Sequence, residues 1–261
     1  MWHIIRAVLL LAPRIIASYF KWMLSYSKKN TKTPIEKRYK KARKLILVVN
    51  KRLRLDVLVE GKENIPDETC CFYSNHMGAA DPILYFEALE KPVTFVAKKE
   101  IEKIPFVGKV FRSINGQFLD RADLKQSLRV MMKVQDSLSK GEINWVVFPE
   151  GTRNKDHMGK LLPFHHGTFR AAMKAKVPLV PTVVFGSFRL LYMKHNYKKY
   201  PTYIKFLKPI YPSEYEGKTT EEVAKIVESR VQAEVSFQAR KIDHSRMVEL
   251  HDKFYKFNRI Y

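Results

Sequence analysis

The chain has 261 residues, 46% of them apolar, and a formal net charge of +22. That length suits one large domain, or a domain with an accessory element, and the apolar share excludes a mainly disordered chain. The positive excess points to nucleic acid or an anionic membrane surface as partner.

The charge is unevenly placed. Residues 1–54 hold 15 Lys or Arg against a single acidic residue, Glu36, whereas the rest of the chain holds 33 basic and 25 acidic residues. A front end of +14 therefore precedes a body of only +8. The first 26 residues are mostly apolar, but Arg6, Pro13, Arg14 and Lys21 interrupt them. Placing Arg14 at a bilayer centre would cost on the order of 2.5–3.5 kcal/mol. The apolar run also stops short of a secretory leader, with no small-residue cleavage site after it. Arg6, Arg14 and Lys21 fall near one side of a helix, and Trp2, Tyr19, Phe20 and Trp22 suit a water–lipid boundary. The segment reads as a helix lying in a membrane surface, with a bend at Pro13; docking onto the protein's own core is the other reading.

Ser27 to Pro34 reads as a turn. Ile35, Tyr39, Ala42, Ile46, Val49 and Leu53 then recur at alternating spacings of four and three, the apolar face of a second helix. Lys40, Lys41, Arg43 and Lys44 are among the residues covering the rest. Together the two helices predict a basic amphipathic hairpin over 1–54 that docks on anionic lipid, followed by an α/β domain over 55–261.

From Asp56 onward short strand and helix signals alternate. Strands are expected over Asp56–Glu60, Thr69–Ser74, Val93–Ala97, Gln117–Leu119, Ile143–Phe148, Leu179–Val184 and Tyr203–Leu207. Helices are expected over Pro82–Leu89, Phe106–Ser113, Leu124–Ser139, Gly167–Lys174 and Thr220–Lys241, with a basic, aromatic helical tail from Ile242 to Tyr261. The alternation predicts an α/β fold with a mainly parallel, mixed sheet flanked by helices. The only cysteines, Cys70 and Cys71, are adjacent and offer no disulfide framework, which fits a reducing compartment. Cys71 reads first as a buried strand residue and second as a nucleophile beside His76.

Two short stretches carry chemistry. In Asn75-His76-Met77-Gly78-Ala79-Ala80-Asp81 a carboxylate follows a histidine by five positions across small residues. Such a loop can fold back so that Asp81 accepts a hydrogen bond from one imidazole nitrogen, leaving the other to take a proton from a hydroxyl. Asp81-Pro82 is equally a good helix start. In Phe148-Pro149-Glu150-Gly151-Thr152-Arg153, Gly151 permits close backbone approach and Arg153 offers a fork of donors suited to phosphate. A tight turn with a surface ion pair is the plainer reading.

These stretches, with Gln117-Phe118-Leu119-Asp120-Arg121 and the proline-bearing run Val177-Pro178-Leu179-Val180-Pro181, resemble the four ordered blocks of the glycerolipid acyltransferases, specifically the bacterial type of 1-acylglycerol-3-phosphate acyltransferase. The resemblance covers about residues 56 to 210. The chain departs from the pattern where the second block usually has glycine: Asn115 stands there, with Gly116 next. The resemblance implies a direct transfer without an acyl-enzyme. His76 is the base and Asp81 its orienting partner. Lys98 or Lys99, with backbone N–H groups near Gly151, would be oxyanion donors. Arg121, Glu150, Gly151, Thr152 and Arg153 would form the acceptor-phosphate site. It implies lysophosphatidic acid as acceptor, acyl-coenzyme A or acyl carrier protein as donor, no cofactor and no metal, and a peripheral or monotopic place on the cytoplasmic face of the cell membrane. His165-His166 reads as part of a loop. Glycerol 3-phosphate or another lysolipid is the alternative acceptor. A nucleic-acid-binding protein is the rival outside enzymes, and no helix-turn-helix, zinc spacing or aromatic RNA-binding motif supports it. A membrane scaffold on a disabled catalytic fold is the third reading.

Overall fold

The computed structural model describes residues 2–155, 159–192 and 199–249. The chain opens with α1 (Trp2–Ser18), which runs through Pro13, a π-helical turn (Tyr19–Met23) and α2 (Leu24–Tyr26). The basic helix α3 (Ile35–Leu53) follows and ends at Arg54, whose φ of +66° breaks the helix. The sheet strands are β1 (Leu55–Glu60), β2 (Cys71–Ser74), β3 (Val93–Lys98), β4 (Gln117–Leu119), β5 (Asn144–Val147), β6 (Leu179–Phe185) and β7 (Tyr200–Phe206). Between them lie α4 (Asp81–Ala88), α5 (Val107–Ser113), α6 (Leu124–Ser139), α7 (Arg170–Lys174) and α8 (Arg189–Tyr192). After β7 come α9 (Pro212–Tyr215) and α10 (Thr220–Glu249). The expected tail continues α10 as far as Glu249, and its last twelve residues lie outside the described ones.

All seven strands join one sheet in the order β1-β7-β6-β2-β5-β3-β4. Every neighbouring pair is parallel except β6 with β7. The central strands are buried on both faces, which is why they read as continuous apolar runs rather than alternating ones. The period of two still sorts them. Phe72, Val146, Val180 and Ile204 enter one core cluster, whereas Cys71, Tyr73, Trp145, Val147, Val183 and Tyr203 enter the other. The first cluster also takes in Tyr39, Ala42, Leu45 and Leu53 of α3, so the basic helix is packed into the α/β core along its apolar face. The second takes in Val134 and Leu138 of α6 and Val223, Val227, Val231 and Val235 of α10.

The front end differs from its sequence reading in two side chains. Trp22, expected at lipid, is 7% exposed within the first core cluster, and Arg43 donates to the Phe86 carbonyl at 2.8 Å. Among the described side chains, the large exposed apolar residues of α1 and its π-helical turn are instead Leu9, Leu10, Ile16 and Phe20. Arg14, Lys21, Lys40, Lys41 and Lys44 are exposed as expected, while the side chains of Trp2 and Arg6 lie outside the described residues. Asn115, where the second block departs from glycine, adopts φ +64°. Asparagine tolerates that left-handed conformation better than most residues. Its side chain also accepts from Arg38 Nη1 at 2.8 Å, which ties the second block to α3.

Candidate active site

In open α/β sheets the loops at the carboxyl ends of the strands form the ligand crevice. Here β2, β5, β3 and β4 are consecutive and parallel, so the loops bearing His76, Glu150 to Asn154, Lys98 to Lys99 and Arg121 leave the same edge. At roughly 4.8 Å per strand, the loop of Arg153 is one spacing from that of His76, and the loop of Arg121 about three.

The loop after β2 is pinned on both sides. Asn75 donates to the Val184 carbonyl at 2.9 Å and accepts from the Val184 N–H at 2.8 Å, which locks the end of β2 to β6. His76 Nδ1 lies 2.6 Å from Asp81 Oδ2, and the carboxylate is fully buried. The same oxygen accepts from the backbone N–H groups of Met77 (2.9 Å) and Gly78 (3.1 Å). Asp81 is also the first residue of α4, so helix start and histidine partner are one arrangement: the N-terminal dipole favours the charge that orients the imidazole. With a carboxylate at Nδ1, the ring carries its proton there and leaves the Nε2 lone pair free. The histidine side chain is 20% exposed, enough for that nitrogen to meet a substrate.

The other carboxylate oxygen of Asp81 accepts from Ser187 Oγ, a residue the sequence reading missed. Ser187 follows β6, two residues after its last residue, Phe185. Gly78 makes room for it, since a Cβ there would lie 2.7 Å from Ser187 Oγ. The proline-bearing fourth block thus carries the strand that brings a donor to Asp81.

The third block grips His76 itself. Glu150 Oε1 accepts the His76 N–H at 2.7 Å, and Asn154 donates its N–H to the His76 carbonyl at 2.7 Å. The Phe148 ring stacks on the imidazole, with centroids 4.3 Å apart. Glu150 Oε2 accepts from the Leu162 N–H at 2.9 Å, so both of its oxygens are engaged by backbone. Burial pushes this carboxyl up to about 6, against the pull of those N–H donors. Expected in the phosphate site, Glu150 is placed as a buried brace of the His76 backbone.

The remaining expected residues divide. Gly151 has φ +66° and lies against His165, where a Cβ would be 3.1 Å from the imidazole Cδ2. Its N–H donates to the Phe148 carbonyl at 3.0 Å and is not free for an oxyanion. Lys98 pairs with Glu100 at 3.0 Å and Lys99 with Asp120 at 2.9 Å. Thr152, Arg153 and Arg121 are exposed, and neither arginine has a hydrogen bond or ion pair among the described residues. Cys71 is buried in β2, and burial pushes its thiol up to about 12, which disfavours a nucleophilic role at neutral pH. Among the described residues no cluster of His, Cys, Asp or Glu could hold a metal ion. A cleft of about 820 Å³ between residues 63–66, 207–214 and α10 holds none of the residues above.

Comparison with known proteins places this arrangement. The family described as Acyltransferase matches residues 56–185, the span from β1 to the end of β6. A 1-acyl-sn-glycerol-3-phosphate acyltransferase from Saccharomyces cerevisiae is 32% identical over 62% of this chain and 54% of its own length. A probable 1-acyl-sn-glycerol-3-phosphate acyltransferase from Mycoplasma pneumoniae is 29% identical over 64% of this chain and 63% of its own. The chain thus spans little more than half the length of several of the curated relatives it matches. Among solved structures, the 1-acyl-sn-glycerophosphate (LPA) acyltransferase PlsC from Thermotoga maritima superposes with a TM-score of 0.73 at 28% identity, covering 91% of this chain and 95% of that one. The sheet, the blocks in order and these likenesses agree: the chain belongs to the acyltransferase family.

Proposed function

We propose that this protein transfers a fatty acyl group from an acyl thioester to the free sn-2 hydroxyl of lysophosphatidic acid, giving phosphatidic acid for phospholipid synthesis. The observation that carries the reading is the His76–Asp81 pair, with Nδ1 held by the buried carboxylate and the histidine side chain 20% exposed. His76 Nε2 takes the hydroxyl proton as the oxygen attacks the thioester carbonyl. Asp81 holds the tautomer and stabilises the imidazolium that forms. The tetrahedral intermediate collapses with loss of the thiolate, which takes the proton back from His76. No protein nucleophile is needed, and the donor is acyl-coenzyme A or acyl carrier protein.

The acceptor's phosphate meets Arg153 and Thr152 on the adjacent loop, with Arg121 reaching in from the edge strand. Exposed arginines that spend no donor among the described residues suit this role. Lys98 supplies charge for the oxyanion when it leaves the exposed Glu100. Gly151 serves by its left-handed turn, which lets the third block fold under His76. The substrates are amphiphiles, and the exposed Leu9, Leu10, Ile16 and Phe20 with the lysines of α3 seat the front end in the surface of an anionic leaflet, on the cytoplasmic side. Among the described residues no helix is long and apolar enough to cross a membrane.

The test is thiol release in mixed micelles from acyl-coenzyme A and from acyl carrier protein, with lysophosphatidic acid and glycerol 3-phosphate as parallel acceptors. Release that requires lysophosphatidic acid, with phosphatidic acid as product, is expected. Release with glycerol 3-phosphate alone, or with neither, would contradict the acceptor assigned here.

A further inference from the structure

The β4 edge of the sheet carries a surface that the chemistry above does not use. Helix α6 turns Val130, Val134 and Leu138 into the core at a spacing of four. Its outer side is not simply polar. Leu124, Leu128 and Met132, also four apart, are 73%, 53% and 63% exposed. On an α-helix such residues form one stripe, here about 12 Å long. Immediately beside it, one position later each time, run the exposed Lys125, Arg129 and Lys133. Single exposed leucines are ordinary, whereas an aligned set flanked by cations marks an interaction surface.

The stripe is not isolated. Both the Lys99–Lys103 turn and α6 touch β4. Beyond that turn Ile104 and Val107 are also exposed, at 44% and 41%. Exposed apolar side chains therefore lie on or next to both elements that touch the edge strand. Arg121 lies directly after β4, within three residues of the start of α6.

Charge selects the occupant. A second copy of this chain would set Lys125, Arg129 and Lys133 against the same cations and a total of +22 against +22. Like charges across an interface oppose association. An anionic bilayer offers both things the surface lacks: acyl chains for the leucines and phosphate groups for the lysines and arginine, whose stems lie along the apolar boundary. We propose that the α6 stripe is a second lipid-docking surface, which seats the β4 edge of the sheet on an anionic bilayer separately from the N-terminal helices.

The test uses the full chain with Leu128→Cys carrying a polarity-sensitive fluorophore, and Glu63→Cys, beside the opposite sheet edge, as reference. Cys70 and Cys71 are buried, so the introduced thiol is the one that reacts. On vesicles of phosphatidylcholine with phosphatidylglycerol, the label at 128 should shift to the blue and be quenched by lipid-borne quenchers, and the label at 63 should do neither. The double variant Leu128→Asp/Met132→Asp should lower the vesicle partition coefficient about tenfold or more. A label at 128 that stays in water on vesicle-bound protein would overturn the proposal. So would a failure of the full chain to bind anionic vesicles at all. A blue shift that grows with protein concentration in the absence of vesicles would assign the surface to a second copy and equally overturn it. None of these readouts involves turnover, so they are independent of the acceptor assigned above.

Discussion

The two halves of the site are built on opposite physical terms. Around His76 nearly every polar group is spoken for: the backbone N–H and carbonyl by Glu150 and Asn154, the ring by Phe148 and Asp81, and the carboxylate by two backbone N–H groups and Ser187. Around Arg121 and Arg153, the proposed phosphate-binding positions, almost nothing is among the described residues. Arg121 and Arg153 stand in solvent without an ion pair among the described residues. As the proposed base, His76 is pre-organised, so no reorganisation is needed when charge develops on it. In the proposed role, the arginines keep their donors for a ligand that brings its own charge. A fixed histidine–aspartate pair beside two exposed arginines is what the proposed direct transfer to a mobile amphiphile requires.

The sharpest way to break this contrast is at the rigid half. Asp81→Asn should keep the helix start and the packing but present an amide to Nδ1, which admits the wrong tautomer. Turnover should fall by roughly 10³–10⁴ with little change in acceptor KM, as in other histidine–aspartate pairs. Near-normal turnover in steady-state assays would mean that Asp81 acts only as a helix cap.

Glu150 tests whether the brace is strained by burial. Its carboxyl is raised from the ordinary 4.5 to about 6 in the folded chain, so the folded state binds the proton more tightly than the unfolded one. The ionised form is therefore the disfavoured one, and the cost is present above about pH 6 and lifted as pH falls toward 4.5. Relative to Glu150→Gln, the wild-type protein should lose about 2 kcal/mol of stability between pH 4.5 and 7. Urea unfolding of both proteins across that range reads the difference, and a gain with rising pH would have the wrong sign.

At the open half, Arg153→Ala should raise the acceptor's KM about tenfold, one charge-assisted hydrogen bond's worth, and leave the donor's KM alone. A rise confined to the donor would move Arg153 to the other substrate. The smallest expected effect returns to the rigid half. Ser187→Ala removes one of four donors to Asp81, so kcat should fall about fivefold with KM unchanged. Ser187→Thr, which keeps the hydroxyl, should recover part of the loss, and no recovery would make Ser187 a packing residue.

Which of these features could be read from sequence follows the distance over which each is determined. The seven strands and the His76–Asp81 pair are local: apolar runs bounded by turn residues, and two side chains five positions apart. Ser187 is 106 residues from the aspartate it contacts, and only the adjacency of β6 to β2 brings them together. Its one sequence signal, a Gly186-Ser187 step after a long buried run, means nothing until that strand order is known. Glu150 was legible as a residue of the third block but its contacts were not, because its partners are backbone N–H groups, which the sequence does not distinguish. Trp22 misled for a related reason: an aromatic residue between apolar and basic ones suits lipid and protein core equally, and the π-helical turn places it inward.

The central claim is that His76 is the base of a direct acyl transfer. The measurement that tests it most directly is acceptor-dependent thiol release and phosphatidic acid formation by His76→Ala beside the wild-type protein, with circular dichroism and a melting curve on both. The account predicts a folded variant whose turnover is at least about 10²-fold lower. A folded His76→Ala protein that still forms phosphatidic acid within a few-fold of the wild-type rate would contradict it.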